Sequence, residues 1–164
     1  VPIPGPCAAI AALSVSGLPT EEFTFIGFLP PKVTQRQSRL QQLSHESRTL
    51  VFYEAPHRII AMLQDLLHVF GDRDAMVMRE ISKLHEQIFR GSLSHIFALL
   101  QTSTIAGEYV IVVAGLTRAD IDIDAALQEV KELLKKGIRR KEAAKRIAEH
   151  YGLSKKELYD KSLS

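Results

Sequence analysis

The spacing of apolar residues divides the first part of the chain into short strands and amphipathic helices. Short β-rich runs alternate with stretches that place an apolar residue every three or four positions. The run 108–114 is almost entirely apolar, which is typical of a strand buried on both faces. The predicted strands are 23–28, 49–53, 75–79, 87–89 and 108–114, and the predicted helices are 7–16, 32–48, 56–70 and 92–100. This order predicts an α/β fold with a mixed sheet of about five strands flanked by helices.

The pattern changes after Gly115. Residues 117–124 are polar and predict a linker, whereas 125–136, 139–151 and 155–161 have the apolar spacing of three short helices. Ser154 with Glu157 three residues later predicts a capping box at the last helix. The short turn before that helix gives the proportions of a helix-turn-helix. We therefore predict an α/β part over 1–116 and a small basic all-α domain over 125–164.

Charge is distributed unevenly, although the net charge is only +2. Residues 125–164 carry eleven lysines and arginines against six acidic residues, while 1–116 carry nine against ten. A compact basic segment beside a near-neutral body indicates a polyanionic partner, although a solvated helix surface explains it equally well. The cations predicted to bind RNA are Lys32, Arg36, Arg39, Lys135, Lys136, Arg139, Arg140, Lys141, Lys145 and Arg146.

Composition argues against several functional classes. The longest apolar run, 109–114, is far too short to span a membrane, and no secretory signal is visible. Cys7 is the only cysteine, which rules out an intramolecular disulfide framework and favours a reducing, cytoplasmic location. The six histidines are scattered without ligand spacing, so we expect no metal site.

Charged residues follow two of the predicted strands. Ligands bind in open α/β sheets at the crevice beyond the carboxyl ends of the strands. A strand that ends in charge is therefore more informative than one that ends in a plain polar loop. The residues concerned are Glu54, His57 and Arg58 after the second strand, and Arg79, Glu80 and Lys83 after the third.

Five blocks of sequence carry a resemblance to a known family. In chain order they are PGPCAAIAALSVSGLPT, FIGFLPPK, RTLVFYEAPHR, REISKLHEQIFRG and GEYVIVVAG. Together they resemble the tetrapyrrole methylase-like (class III) methyltransferases. Within that family they are most similar to the type that transfers a methyl group from S-adenosylmethionine to the ribose 2′-oxygen of a cytidine in 16S ribosomal RNA. The resemblance is strong over 2–115 and continues into 125–164.

The resemblance implies a fold of two α/β halves with the cofactor S-adenosylmethionine held between them. The N-terminal half of such a protein supplies a glycine-rich loop that this sequence lacks. The resemblance therefore implies that the chain is the C-terminal half and is inactive alone. It also implies a homodimer with the small ribosomal subunit as its partner. By the same resemblance Cys7, Ala8, Glu54 and Ile81 contact the cofactor, chiefly through backbone atoms.

Methylating a ribose hydroxyl requires a base, or a cation that stabilises the developing alkoxide. The catalytic candidates are Lys83, Glu80 and Arg79. Lys83 could act as an electrostatic stabiliser, or as a base if burial beside Arg79 lowers its pKa. The alternative is structural, since a Glu54–Arg79 or Glu80–Arg58 ion pair would merely fix the strand ends. The sequence leaves both readings open.

Two other functions compete with this hypothesis. A methyltransferase acting on a tetrapyrrole precursor would have the same fold, but it predicts no basic helical tail. A DNA-binding regulator with an α/β sensor domain predicts a recognition helix rich in exposed arginine, glutamine and asparagine. The last predicted helix, SKKELYDK, offers lysine and acidic residues instead.

Overall fold

The computed structural model describes residues 1–117, 123–151 and 153–163. They form two compact units, Val1–Gly115 and Leu116–Ser164. The predicted linker, 117–124, lies largely outside the described residues. Its last two positions, Ile123 and Asp124, belong to a helix, so the prediction extended the linker too far there.

The first unit contains five strands and four α-helices. A single 3₁₀ turn, Pro56–Arg58, precedes the third helix because proline is well placed at a helix start. The elements are α1 Ala8–Ser16, β1 Phe23–Phe28, α2 Val33–Leu43, β2 Thr49–Glu54, α3 Ile59–Phe70, β3 Asp74–Arg79, β4 Gln87–Ser92, α4 Leu93–Gln101 and β5 Tyr109–Val113.

Sheet order brings the ends of separate strands together. The order is β1-β2-β5-β3-β4, with β1 and β2 parallel and the remaining neighbours antiparallel. The carboxyl ends of β1, β2 and β3 therefore lie at the same end of the sheet as the start of β5. Tyr109 at that start pairs with Glu54 on one side and with Arg79 on the other. The prediction of a mixed five-stranded α/β sheet is confirmed.

Each face of the sheet has its own core. Alternate residues of β2, such as Leu50 and Phe52, pack with α2, α3 and α4 in the larger core. Val51 faces the other side, where α1 packs through small residues such as Ala9 and Ala12. β5 is buried at every position, as its unbroken apolar run predicted.

Two predicted boundaries differ from the structure. β4 is longer than the predicted 87–89 because it pairs with β3 along its full length, from Arg79↔Gln87 to Asp74↔Ser92. α2 ends at Leu43, well before the predicted residue 48. The carbonyl of Ser44, which a continuing helix would pair with the N–H of Arg48, instead accepts a hydrogen bond from the buried Arg73 side chain.

The second unit consists, in its described part, of α5 Ile123–Lys135, α6 Arg140–Tyr151 and α7 Lys155–Lys161. Side chains such as Val130, Ile147 and Leu158 form its small core. Ser154 accepts a hydrogen bond from the backbone N–H of Glu157 at 3.4 Å, which is one half of the predicted capping box. Among the described residues, no helix combines the length and apolar character needed to cross a bilayer.

Candidate functional site

A cavity of about 600 Å³ opens at the edge where β1, β2 and β3 end and β5 begins. This volume lies in the range of small-molecule sites. The residues around it come from α1, three strand ends and the turn after β3: Pro6, Cys7, Ala8, Ala11, Phe28, Tyr53, Glu54, Glu80, Ile81, Ser82, Lys83, Glu108, Tyr109 and Val110. The four predicted cofactor contacts, Cys7, Ala8, Glu54 and Ile81, are all among them. We call this space the strand-end cavity.

Small residues of α1 leave room in the strand-end cavity. Ala8 and Ala11 lie one turn apart and present only methyl groups. The hydroxyl of Tyr53 accepts a hydrogen bond from the backbone N–H of Ala9 at 3.1 Å, which fixes the start of α1 over β2. Cys7 occupies the N-cap position without a side-chain capping bond, and it is exposed. This wall can therefore approach a ligand closely.

Glu54 reaches the cavity through its backbone. Its side chain is 0% exposed and, like that of Phe52 two residues earlier, lies on the α2–α4 face of the sheet. One carboxylate oxygen accepts a hydrogen bond from the N–H of Ala55 at 2.8 Å, and the other lies 3.3 Å from the Arg58 guanidinium. Arg58 also donates to the carbonyl of Leu29 at 2.9 Å. The carboxylate thus supports the β2–α3 turn, and recognition at this position falls to main-chain groups.

The turn after β3 forms the opposite wall. Glu80 and Ser82 both have positive φ, 53° and 59°, and non-glycine residues held this way cluster at functional sites. The Glu80 carboxylate lies 2.9 Å from Lys83 Nζ and accepts a bond from the N–H of Glu108 at 3.3 Å. A Cβ at Gly107 would lie 2.2 Å from Glu80 Oε1, so glycine is required for this approach. The carboxylate clamps the turn onto the start of β5.

The two ion pairs considered from sequence are wrong. Glu54 pairs with Arg58, and Glu80 pairs with Lys83. Arg79 instead donates a hydrogen bond to the carbonyl of Thr104 and is not among the cavity-lining residues. Its side chain leaves the sheet on the α2–α4 face, which places it away from α1. A direct catalytic role for Arg79 therefore finds no support in the geometry.

Phe28, Glu108 and Tyr109 line the cavity but escaped sequence reasoning. Phe28 belongs to the end of β1, and the other two belong to the start of β5. Only the sheet order, which inserts β5 between β2 and β3, brings these positions to the same edge. The chain offers no local signal for that order. The one hint that the sequence offered was Phe28, an aromatic residue at the end of a predicted strand.

Residues 1–96 match the model of the Tetrapyrrole (Corrin/Porphyrin) Methylases. That match spans more than half of the chain and includes α1, the ends of β2 and β3, and the turn after β3. The chain belongs to the tetrapyrrole methylase family. The resemblance read from the five sequence blocks is thereby confirmed at the level of the family.

Curated relatives of this tetrapyrrole methylase carry one name, "Ribosomal RNA small subunit methyltransferase I". The Synechocystis protein is 42% identical over 99% of this chain and 60% of its own length. The Xylella fastidiosa protein is 47% identical over 96% and 59%, and the Mycobacterium tuberculosis protein is 39% identical over 96% and 55%. The chain therefore spans about 55 to 60% of these relatives. Which part of the longer protein it represents stays a prediction.

Solved structures support the fold. A cobalt precorrin-4 methyltransferase of cobalamin biosynthesis superposes with a TM-score of 0.53 at 16% identity. The superposition covers 68% of this chain and 50% of that enzyme. At this identity the likeness concerns architecture alone.

Lys83 is not the buried base considered from sequence. Its side chain is 56% exposed, and the hydrogen bond that it donates to the Glu80 carboxylate raises its pKa rather than lowering it. The same hydrogen bond lowers the pKa of Glu80. Both groups therefore remain charged around neutral pH, and the cavity of this tetrapyrrole methylase carries a fixed lysine cation at its rim.

We expect Lys83 to cause no inflection in the pH–rate profile of the full-length protein between about pH 6 and pH 9. Because the pKa of Lys83 is raised in the folded protein, its ion pair with Glu80 is intact below the pKa of Lys83 in the unfolded chain. The pair is lost only as the pH rises through the folded-state pKa. The lowered pKa of Glu80 keeps the pairing above its unfolded value and loses it as pH falls through the folded value. Lys83→Arg should retain the profile, because it retains the charge. An inflection in this window that vanishes in Lys83→Arg would show that the pKa of Lys83 is lowered, not raised.

Arg36 was predicted to bind RNA, and the structure contradicts this. It is only 4% exposed, and its Nε lies 2.6 Å from Asp65 Oδ2 in a buried ion pair between α2 and α3. Lys32 and Arg39 are exposed on the same segment, as the prediction required. The sequence of α2 is mostly polar and does not by itself indicate that Arg36 faces inward. Arg36 lies on the same helix face as the buried Leu40, four residues later.

The cations predicted to bind RNA in the second unit fall into three groups. Arg146 lies 3.0 Å from Glu142, and Lys145 lies 3.9 Å from Glu149, so carboxylates offset both charges. Arg140 is half-buried and donates a hydrogen bond to the carbonyl of Ser162 at 2.5 Å, which ties α6 to the end of α7. The remaining predicted cations, Lys135, Lys136, Arg139 and Lys141, are exposed. Among the described residues no cluster of metal-ligating side chains occurs.

Proposed function

We propose that this chain is part of an S-adenosylmethionine-dependent methyltransferase that modifies the ribose 2′-hydroxyl of a cytidine in 16S ribosomal RNA. The observation that carries the proposal is the strand-end cavity, which gathers Cys7, Ala8, Glu54 and Ile81 in a chain of the tetrapyrrole methylase family. The names of the curated relatives support ribosomal RNA of the small subunit as substrate. The ribose position and the cytidine rest on the resemblance of the sequence blocks.

The cavity fits S-adenosylmethionine in size and lining. Methyl groups at Ala8 and Ala11 allow close approach, and Tyr53 and Phe28 provide flat apolar walls. Main-chain groups at Glu54 and Ile81 would hold the adenosine portion, since the Glu54 side chain is turned away. When bound, the cofactor supplies an electrophilic methyl group. The carboxylates of Glu80 and Glu108, which line the cavity, suit a ligand with a net positive charge.

Lys83 is the protein group best placed to act on the substrate. Glu80 holds its ammonium at 2.9 Å, on the rim of the cavity. Transfer would break the methyl–sulfur bond of the cofactor, form the bond from the ribose oxygen to the methyl carbon and release the hydroxyl proton to solvent water, with negative charge developing on the ribose oxygen. A lysine that stays protonated stabilises such charge, and it cannot accept the proton itself. We assign Lys83 the role of an electrostatic stabiliser, with Glu80 as its positioning residue.

Methyl transfer to isolated small subunits tests the function. The full-length protein that contains this chain should transfer labelled methyl groups from S-adenosylmethionine to subunits from cells lacking its gene. Subunits from cells that retain the gene should accept almost none, because their site is already modified. Nuclease digestion and mass spectrometry should then identify 2′-O-methylcytidine. Label on a base, or on a tetrapyrrole precursor instead of RNA, would contradict the proposal.

The partner and the assembly belong to the same proposal. A ribosomal substrate places the protein in the cytoplasm, where the small subunit is made. The resemblance implies a homodimer, and edge strand β1 exposes Phe23 and Phe25, which are 38% and 51% accessible. Exposed aromatic residues on one strand are typical of an interface. Sedimentation of the full-length protein should give the mass of two chains, and a monomer at every concentration would exclude this part.

A further inference from the structure

A second cavity lies on the helical unit, outside the matched family region. It has a volume of about 350 Å³ and is lined by Lys141 from α6 and by Lys155, Lys156 and Tyr159 from α7. No acidic residue lines it. The three lysines are exposed and the tyrosine is half-buried. We call this space the lysine cavity.

Ion pairing separates the lysines of this cavity from their neighbours. Lys161, on the same helix, lies 3.4 Å from Glu157, and the Lys145 and Arg146 charges on α6 also have carboxylate partners. Within the described part of the chain, no carboxylate lies within 4.0 Å of Lys141, Lys155 or Lys156. Three positive charges therefore converge on one concave surface without a carboxylate in direct ion-pair contact, although Lys155 is close enough to Glu142 to lower its pKa.

Tyr159 adds a flat ring to this cationic surface. It follows Lys155 by four residues and Lys156 by three, so all three lie on one face of α7. Leu158, the residue before Tyr159, faces the small core of the unit and is 1% exposed. A half-buried ring is held in place by its surroundings yet keeps surface available for contact. The bases of unpaired nucleotides stack on aromatic rings, and the surrounding positive charges bind their phosphates.

We propose that the lysine cavity binds one unpaired nucleotide of RNA, with the base stacked on Tyr159 and the flanking phosphates on Lys141, Lys155 and Lys156. This proposal rests on the proposed function, because it takes the substrate to be RNA. It includes Lys141 of the predicted basic cluster together with Lys155 and Lys156, by which that cluster extends onto α7, and it adds Tyr159. It also assigns a role to α7, which carries no typical reader of base edges.

The shape of the site favours an unstacked nucleotide over a duplex. A base can stack on the half-buried ring of Tyr159 only if it leaves its own stack. Duplex DNA would instead need a helix with arginine, asparagine or glutamine aimed at base edges, and α7 has only lysine, acidic residues, leucine and tyrosine. The absence of specific readers predicts binding that depends on single-strandedness more than on sequence.

Paired charge removals test the phosphate contacts. Lys155→Ala/Lys156→Ala and Lys131→Ala/Lys161→Ala each remove two positive charges from exposed positions of the helical unit, but only the first pair lines the cavity. For the full-length protein and single-stranded oligocytidylate, the cavity variant should lose about tenfold in affinity. The slope of log affinity against log salt should become shallower by about 1.4, or about 0.7 for each lost phosphate contact. The control variant should change neither quantity by as much as half of these values.

Tyrosine replacements test stacking. The chain contains no tryptophan, so Tyr159→Trp introduces a fluorophore at the site. Single-stranded RNA should quench it and duplex DNA should not. Tyr159→Ala should weaken RNA binding about tenfold, whereas Tyr159→Phe, which keeps the ring, should bind within about twofold of the parent.

Several outcomes would overturn the proposal. Equal losses in the two double variants would show that only overall charge matters. Equal quenching by duplex DNA and RNA would indicate a helix-turn-helix DNA contact instead. Full quenching by inorganic phosphate would indicate an anion site that does not hold a base. Circular dichroism of each variant separates these results from unfolding. If these variants behave as the parent while methyl transfer to small subunits persists, the lysine cavity is wrong and the proposed function stands.

Discussion

Replacing Ala11 by phenylalanine is expected to lower the affinity for S-adenosylmethionine by at least about a hundredfold, or roughly 2.7 kcal/mol. Ala11 lies one turn after Ala8 on the wall that α1 contributes to the strand-end cavity. A phenyl ring at this position projects into the space where the cofactor is proposed to lie. Because the wall is anchored to β2 through Tyr53, it cannot retreat to accommodate the ring. Isothermal titration of the full-length protein measures the loss.

The neighbouring residue supplies a matched control. Ile10 is 51% exposed on the same helix and does not line the cavity, so Ile10→Phe tests the presence of an additional ring without obstruction. Its affinity should remain within about twofold of the parent, since surface substitutions change little. Wild-type affinity in a folded Ala11→Phe variant would place the cofactor elsewhere, and the assignment of the cavity would fall.

Sequence pattern predicted the elements of the α/β part well because burial and spacing are local properties. The unbroken apolar run of β5 indicated burial on both faces, and β5 proves to be central. Ser92 at the start of α4 accepts the hydrogen bond from His95 N–H that an N-cap requires. The position of the site followed from a rule about strand ends, which needs only the direction of the strands.

Side-chain pairing at the site could not be predicted in the same way. Glu54 pairs with Arg58, four positions later, and Glu80 pairs with Lys83, three positions later. The ion pairs considered from sequence instead linked a residue at the end of β2 or just after it to a residue at the end of β3 or just after it. β5 lies between β2 and β3, which separates those ends by the width of a strand and leaves local turns to supply the partners. Partner choice therefore depended on strand order, for which the sequence carries no local signal.

Asp65→Ala is expected to destabilise the first unit by about 3–5 kcal/mol, the largest effect we foresee for a residue remote from the cavity. Asp65 is 7% exposed and accepts from Arg36 Nε at 2.6 Å and from the Gln37 amide at 2.8 Å. Removing the carboxylate leaves the Arg36 guanidinium buried without its counter-charge, and desolvation of that charge accounts for most of the cost. Urea unfolding followed by circular dichroism measures the change.

Two further variants separate buried charge from packing and from RNA contact. Arg36→Met/Asp65→Leu removes both charges while keeping apolar volume, so it should recover most of the stability lost in Asp65→Ala. Arg39→Ala, at an exposed position three residues along α2, should change unfolding by less than about 0.5 kcal/mol. If the double variant keeps its fold but loses RNA affinity, Arg36 reaches RNA after all. If it binds RNA like the parent, Arg36 serves only to join α2 to α3.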